Sequence, residues 1–143
     1  MSFSITPTVI ETDKIKEQVV NETCGAYVVF EGIVRNHHNG KAVTSLRYEH
    51  HPVLAQVTGE ALVKQTLEKF PISAAYAIHR TGDCAVGECA VFIAVASSHR
   101  AEAFQACQFL IDEIKTEVPI WKFETYENGE SVYTAPCPSC VKS

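Results

Sequence analysis

Two lysines stand where a lysine can do more than meet water. Lys115 follows Ile114 by one residue and Ile111 by four, so at helical spacing it borders an apolar stripe. Lys122 follows Pro119, Ile120 and Trp121 on a segment of strand character. At the margin of apolar surface an ammonium loses hydration, its pKa falls, and it can donate a proton, accept one or attack an electrophile. A lysine late in a helix also complements the dipole and lays its stem along apolar neighbours, and spacing leaves both roles open. His99 and Arg100 follow Ser97 and Ser98 at the start of an expected helix. Free N–H groups and the helix dipole suit phosphate or carboxylate there, and the Arg fork binds the same oxygens. A capping segment facing water would use the same residues. Arg35, at a strand end beside a polar loop, is either an anion contact or a solvated hairpin residue.

Other motifs are weaker. In His37-His38 and His50-His51 the neighbours point in different directions, and no HxxxH or carboxylate partner supports them, so no metal is expected. Cys137 and Cys140 have zinc-ligand spacing but form a lone pair of cysteines, in a tail from 135 to 143 that reads as loose. Cys24, Cys84, Cys89 and Cys107 sit singly in or beside apolar segments, as small buried hydrophobes do. A disulfide framework is not expected, and neither a P-loop, a dinucleotide fingerprint nor a nucleophile elbow calls for a cofactor. The net charge of -5 argues against a nucleic-acid binder, so any anionic ligand must be held by a local basic cluster. No apolar run approaches the roughly 18 residues of a membrane span, and residues 1–14 lack a signal-peptide core, so a cytoplasmic protein without membrane contact is expected.

The elements that must position these groups read as an alternation of helices and strand pairs. Residues 12–21 suggest a short amphipathic helix capped by Thr12 or Asp13. Residues 25–35 and 42–49 read as strands around Asn39-Gly40, a strong turn signal, and so as a hairpin. A helix is expected over 52–70, between Pro52 and Pro71, with two apolar stripes: Leu54, Val57 and Ala61, then Val63, Thr66, Leu67 and Phe70. Strands over 72–81 and 88–97 form a second hairpin. A helix over 99–118, capped by Ser98, buries Ala103, Phe104, Cys107, Leu110, Ile111 and Ile114. A strand over 120–126, a turn at Asn128-Gly129 and a return strand over 131–134 complete the chain. At 143 residues this is a single-domain length, and hairpins outnumber single-strand crossovers. The expected fold is therefore α+β, with a largely antiparallel sheet and flanking helices.

Taken together, the words FEGIVRN (30–36), LRYEH (46–50), HRTG (79–82), VGE (86–88), SHRAEAF (98–104), DEIKT (112–116) and VPIWKFE (118–124) resemble the catalytic subunit family of molybdopterin synthase. They follow that family's order and spacing over about 28–133, and the series from Lys115 to Lys122 is the most specific. The resemblance implies a hammerhead-like homodimer, with a small ubiquitin-like subunit at each far end giving a heterotetramer. It implies sulfur transfer from that subunit's thiocarboxylated C-terminal glycine to cyclic pyranopterin monophosphate (precursor Z), forming the molybdopterin dithiolene. Lys115 and Lys122 match the family's catalytic lysines, which also bind substrate, and Arg35, His99 and Arg100 its substrate-anion residues, the last two open to service in either protomer's pocket. The thiocarboxylate sulfur is itself nucleophilic, so no protein cysteine, metal or cofactor is required. Phe123 departs from a basic residue common in the family, and Tyr133 from a frequent Trp. The rival expectations are an inactive scaffold of the same fold, which both lysines argue against, and an unrelated anion-binding hydrolase, for which no nucleophile set is present.

Overall fold

The computed structural model describes residues 2–134, and the Cys137/Cys140 tail lies outside them. In chain order the elements are β1 (Ser2–Thr6), α1 (Ile15–Val19), β2 (Ala26–Ile33), β3 (His37–His38), β4 (Lys41–His50) and α2 (Leu54–Lys69). Then come β5 (Ala74–Arg80), β6 (Gly82–Cys84), β7 (Cys89–Ser97), α3 (Arg100–Glu117), β8 (Ile120–Tyr126) and β9 (Ser131–Thr134).

The apolar word CAVFIAVAS forms β7, buried along nearly its whole length. Such a strand needs cover on both faces. Val91, Ile93 and Val95 meet one core with Ala103, Ala106, Leu110 and Ile114 of α3 and Leu62 and Val63 of α2. Phe92, Ala94 and Ala96 meet the other, with Ile10, Ile15 and Val19. This four-stranded sheet runs β1-β5-β7-β2, antiparallel except for β1 beside β5. A second, five-stranded sheet runs β3-β4-β8-β9, with β6 also on β4. The α+β class with largely antiparallel pairing is as expected.

The expected hairpin between 25–35 and 42–49 does not form. β2 pairs with β7 and β4 with β8, in different sheets. The Asn39-Gly40 turn is real, with φ of 51° and 77°, yet it closes only β3 onto β4. At the end of β2 the Val34 N–H donates to Glu88 O at 3.0 Å and Val34 O accepts from Gly87 N–H at 2.8 Å, which ties this end to the β6–β7 connection. β4 therefore leaves in another direction. The short strands β1 and β6 have no counterpart in the sequence reading, because each is too brief to show a period.

Helix details also differ. α1 is confined to Ile15–Val19 with Lys14 at its N-cap, not Thr12 or Asp13. α2 buries Ala55, Gly59, Leu62, Val63 and Thr66, so the second expected stripe faces the core. The first does not: Leu54 and Val57 are exposed, because the face that packs runs through Ala55, Gly59, Leu62, Val63 and Thr66. The His51 Nδ1 accepts the Leu54 N–H at 3.0 Å. On α3 the expected apolar side is buried except Phe104, which is 60% exposed among the described residues. The N-cap of α3 is His99 without a side-chain cap, while the Ser98 hydroxyl donates to Thr23 O at 3.4 Å. Cys24, Cys84, Cys89 and Cys107 are free thiols. Among the described residues, no helix is long and apolar enough to cross a membrane.

Candidate active site

Pro119 ends α3 and turns the chain back as β8, which brings two lysines seven residues apart to one place. Lys115 lies in the last turn of α3, and Lys122 stands on β8 opposite Tyr48 of β4. Arg35 joins them from the segment after β2. Its backbone neighbours are pinned on both sides, Val34 by the 87–88 connection and Asn36 by the Val43 N–H at 2.8 Å. The charges meet at Lys115. Partial loss of hydration lowers its pKa most, and Lys122 and Arg35 lower it further, against an opposing pull from Asp112. Lys115 still reaches solvent, and neither it nor Arg35 has an ion-pair partner among the described residues. Three cations from three segments thus converge, and among the described residues only one carboxylate is ion-paired to any of them, which is the electrostatics of an anion site.

That counter-ion is Glu124. It lies two residues along β8 from Lys122, on the same face of the strand. The Lys122 Nζ donates to its Oε1 at 3.0 Å; the Lys122 side chain is 32% exposed and that of Glu124 only 4%. The His38 Nδ1 donates to both carboxylate oxygens, at 2.7 and 2.9 Å, and the Tyr126 hydroxyl donates to Oε2 at 3.3 Å. Burial pushes the Glu124 carboxyl up, but the hydrogen bonds from Lys122 and His38 outweigh it and hold the carboxyl below its usual range.

A second group behind Lys115 is His79. It is buried, and burial pushes its pKa down to about 4; the Arg80 carbonyl opposes this, and Lys115 and His50 add to it. Its Nδ1 is 2.7 Å from the Arg80 carbonyl, so Nδ1 carries the proton and Nε2 is the free acceptor. The Tyr48 ring meets it edge-on with centroids 4.9 Å apart. His50 bonds the Thr81 hydroxyl at 2.9 Å, and that hydroxyl donates to Tyr48 O at 3.2 Å. The thiol at this level, Cys84, is buried and pushed up by desolvation, so it is a poor nucleophile.

His99 and Arg100 are not brought to this cluster. They are exposed at the opposite end of α3, and fifteen residues of helix separate Arg100 from Lys115, about 22 Å along the axis. The other candidate histidines have local uses: His37 meets Asn36 Oδ1 at 3.0 Å, and His51 caps α2. Among the described residues no group of three or more His, Cys, Asp or Glu is placed to hold a metal ion. The sequence reading missed Glu124, His38 and His79. Strand alternation relating Lys122 to Glu124 was available as a signal, whereas nothing local joins His38 to a carboxylate 86 residues away.

A family profile described as "MoaE protein" matches residues 5–117. The chain belongs to the MoaE family. Its relatives include molybdopterin synthase catalytic subunits of Thermoplasma volcanium, 44% identical over 73% of this chain and 77% of that one, and of Bacillus subtilis, 40% identical over 90% and 82%. The human catalytic subunit is 35% identical over 122 residues. The chain spans 65% of the length of that human relative and 59% of the rice ones. The crystal structure of molybdopterin synthase from Staphylococcus aureus superposes with a TM-score of 0.85 at 35% identity, covering 91% of this chain and 94% of that one. A Helicobacter pylori chain, from a complex of subunits 1 and 2 of molybdopterin-converting factor, shares the fold with a TM-score of 0.75 at 21% identity. Of the three cations gathered here, Arg35 and Lys115 lie within the matched residues and Lys122 just beyond them.

Proposed function

We propose that the chain is a sulfurtransferase of molybdenum cofactor biosynthesis. It takes sulfur from the thiocarboxylated C-terminus of a small ubiquitin-like subunit and places it on cyclic pyranopterin monophosphate, forming the molybdopterin dithiolene in two rounds. The observation that carries this reading is the convergence of Lys115, Lys122 and Arg35 from three segments, with the other two charges felt at Lys115. In a protein of net charge -5 a local cluster of cations suits an anion, and both the cyclic phosphate and the thiocarboxylate are anions. The sulfur brings its own nucleophilicity, so the protein's task is orientation, proton supply and stabilisation of departing oxygen charge. Lys115, with a lowered pKa, gives up a proton to groups at the reacting carbons more readily than an ordinary lysine. Lys122, held by Glu124, stabilises charge on the phosphate or on the thioester-linked intermediate.

His99 and Arg100 lie too far from Lys115 to serve the same pocket within one chain. They therefore act on the pocket of a second protomer, in a homodimer that carries one small subunit at each far end as a heterotetramer. Phe104, one turn from Arg100 and exposed, supplies apolar surface for that contact.

The test is reconstitution of the purified chain with thiocarboxylated small subunit and cyclic pyranopterin monophosphate, with detection of the dithiolene. Product that disappears in Lys115→Ala, with the fold intact by circular dichroism, is expected. Near-normal turnover in Lys115→Ala removes the lysine from its role. Failure of the wild-type chain to bind the small subunit rejects the reading.

A further inference from the structure

The sequence gives His37-His38 neither a metal nor a reaction, yet His38 holds the buried end of the lysine cluster. A carboxylate as buried as Glu124 is stable only when its oxygens are matched by donors. Three side chains do this: His38 at 2.7 and 2.9 Å, Lys122 at 3.0 Å and Tyr126 at 3.3 Å. Only His38 donates to both oxygens, so only His38 fixes the plane of the carboxylate and not just its position. The histidine is itself set by backbone. β3 is two residues long, in register with Lys41 and Ala42, and closed by the left-handed Asn39-Gly40 pair. The same short segment carries Arg35 at its start. One loop therefore supplies a cation to the cluster and the donor that aims the counter-ion of a second cation.

We propose that His38 is a positioning residue for Lys122, acting through Glu124. It keeps the carboxylate turned so that the Lys122 ammonium stands at a fixed place beside Lys115 and Arg35. The proposal rests on the reading of the site given above, and it assigns to His38 no contact with substrate. His38→Phe keeps the ring and removes the donor, while His38→Asn keeps an N–H near the Nδ1 position.

In the reconstituted reaction His38→Phe is expected to lower kcat about tenfold, the scale of a lost charge-assisted hydrogen bond. KM for the pterin should change less than about twofold, because the ammonium stays beside the phosphate and only the charge that develops during reaction needs its exact aim. His38→Asn should restore most of the rate. On a Glu124→Gln background, His38→Phe should cause no further loss, since the group it acts through is gone. A second readout needs no turnover: trace acetylation by acetic anhydride, quantified by mass spectrometry at Lys122 relative to the exposed Lys64. Lys122 should label faster in His38→Phe and at the wild-type rate in His38→Asn. Independent losses in the double variant, no rescue by Asn, or unchanged labelling in His38→Phe would each overturn the proposal. A wild-type chain without turnover would count against the sulfur-transfer reading alone, and the labelling would still decide the part played by His38.

Discussion

Lys115 and Lys122 differ by what surrounds each ammonium. Lys122 has a buried carboxylate at 3.0 Å, whereas Lys115 has partial desolvation and two like charges. On the proposed function the two environments divide the labour: an ammonium tied to Glu124 suits a fixed charge, and one whose proton is loosened suits an acid. The pH dependence follows with a definite sign. Lys115 loses its proton below the ordinary lysine value of 10.5, so an activity that needs the protonated form falls as pH rises through that lowered pKa. Removing a neighbouring positive charge raises the pKa again. The alkaline limb of the kcat/KM profile is therefore expected to move to higher pH in Lys122→Gln, and by less in Arg35→Gln, since Arg35 is the smaller influence. A limb that stays in place in both variants assigns it to another group. His79 works in the opposite sense to a general acid. With its pKa near 4 it stays neutral through physiological pH, so it adds no charge to a cluster already rich in cations.

At the scale of elements, the site depends on how a strand and a helix are stacked far from it. β1 is a short edge strand whose Phe3 is buried against α2 where Gly59 leaves room. A Cβ at Gly59 would collide with the Phe3 ring, so Gly59→Ala must displace either the ring or the helix. Overpacking of this kind costs about 1–3 kcal/mol, more than the gain of up to about 1 kcal/mol from better helix propensity. We expect a lower denaturant midpoint for Gly59→Ala with an unchanged slope, measured by urea unfolding. An unchanged or higher midpoint would show that the Phe3 ring moves freely and that β1 is not held through this contact. The β5–β7 connection is held in another way, by the buried Arg80. Its guanidinium meets Glu88 Oε2 at 3.1 Å and Asp83 O at 2.8 Å. That clamp orders the 87–88 backbone, which pins Val34 and so aims Arg35.

At the scale of the whole molecule, the proposed function gives α3 two sets of site residues, one at each end. Eighteen helical residues cannot bend Arg100 back to Lys115, so on that proposal the two ends serve the pockets of different protomers. Complementation tests this. In a mixed dimer of Lys115→Ala and Arg100→Ala protomers, one pocket receives both defects and the other receives neither. After full subunit exchange half of the dimers are mixed, so about a quarter of wild-type activity should return from two inactive parents. No recovery, despite exchange shown by native mass spectrometry, would show that Arg100 does not serve the partner protomer's pocket.

Read as a sequence, the chain declares its helices α2 and α3, its strands β5, β7, β8 and β9, and the lysines, arginines and histidine of the family's words. These features are local. Apolar periodicity, prolines at helix ends and Asn-Gly turns act within a few residues, so they survive without knowledge of the fold. The pairing of β2 with β7 instead of β4, the second sheet, and the ties of Glu124 to His38 and of Arg35 to Lys115 were decided only in three dimensions. A strand edge accepts any partner of suitable pattern, and the choice fell to burial. β7 needed cover on both faces, β2 became its neighbour, and β4 was released to carry Tyr48 and His50 toward β8. That release leaves His38 against Glu124 and places Lys122 beside Lys115.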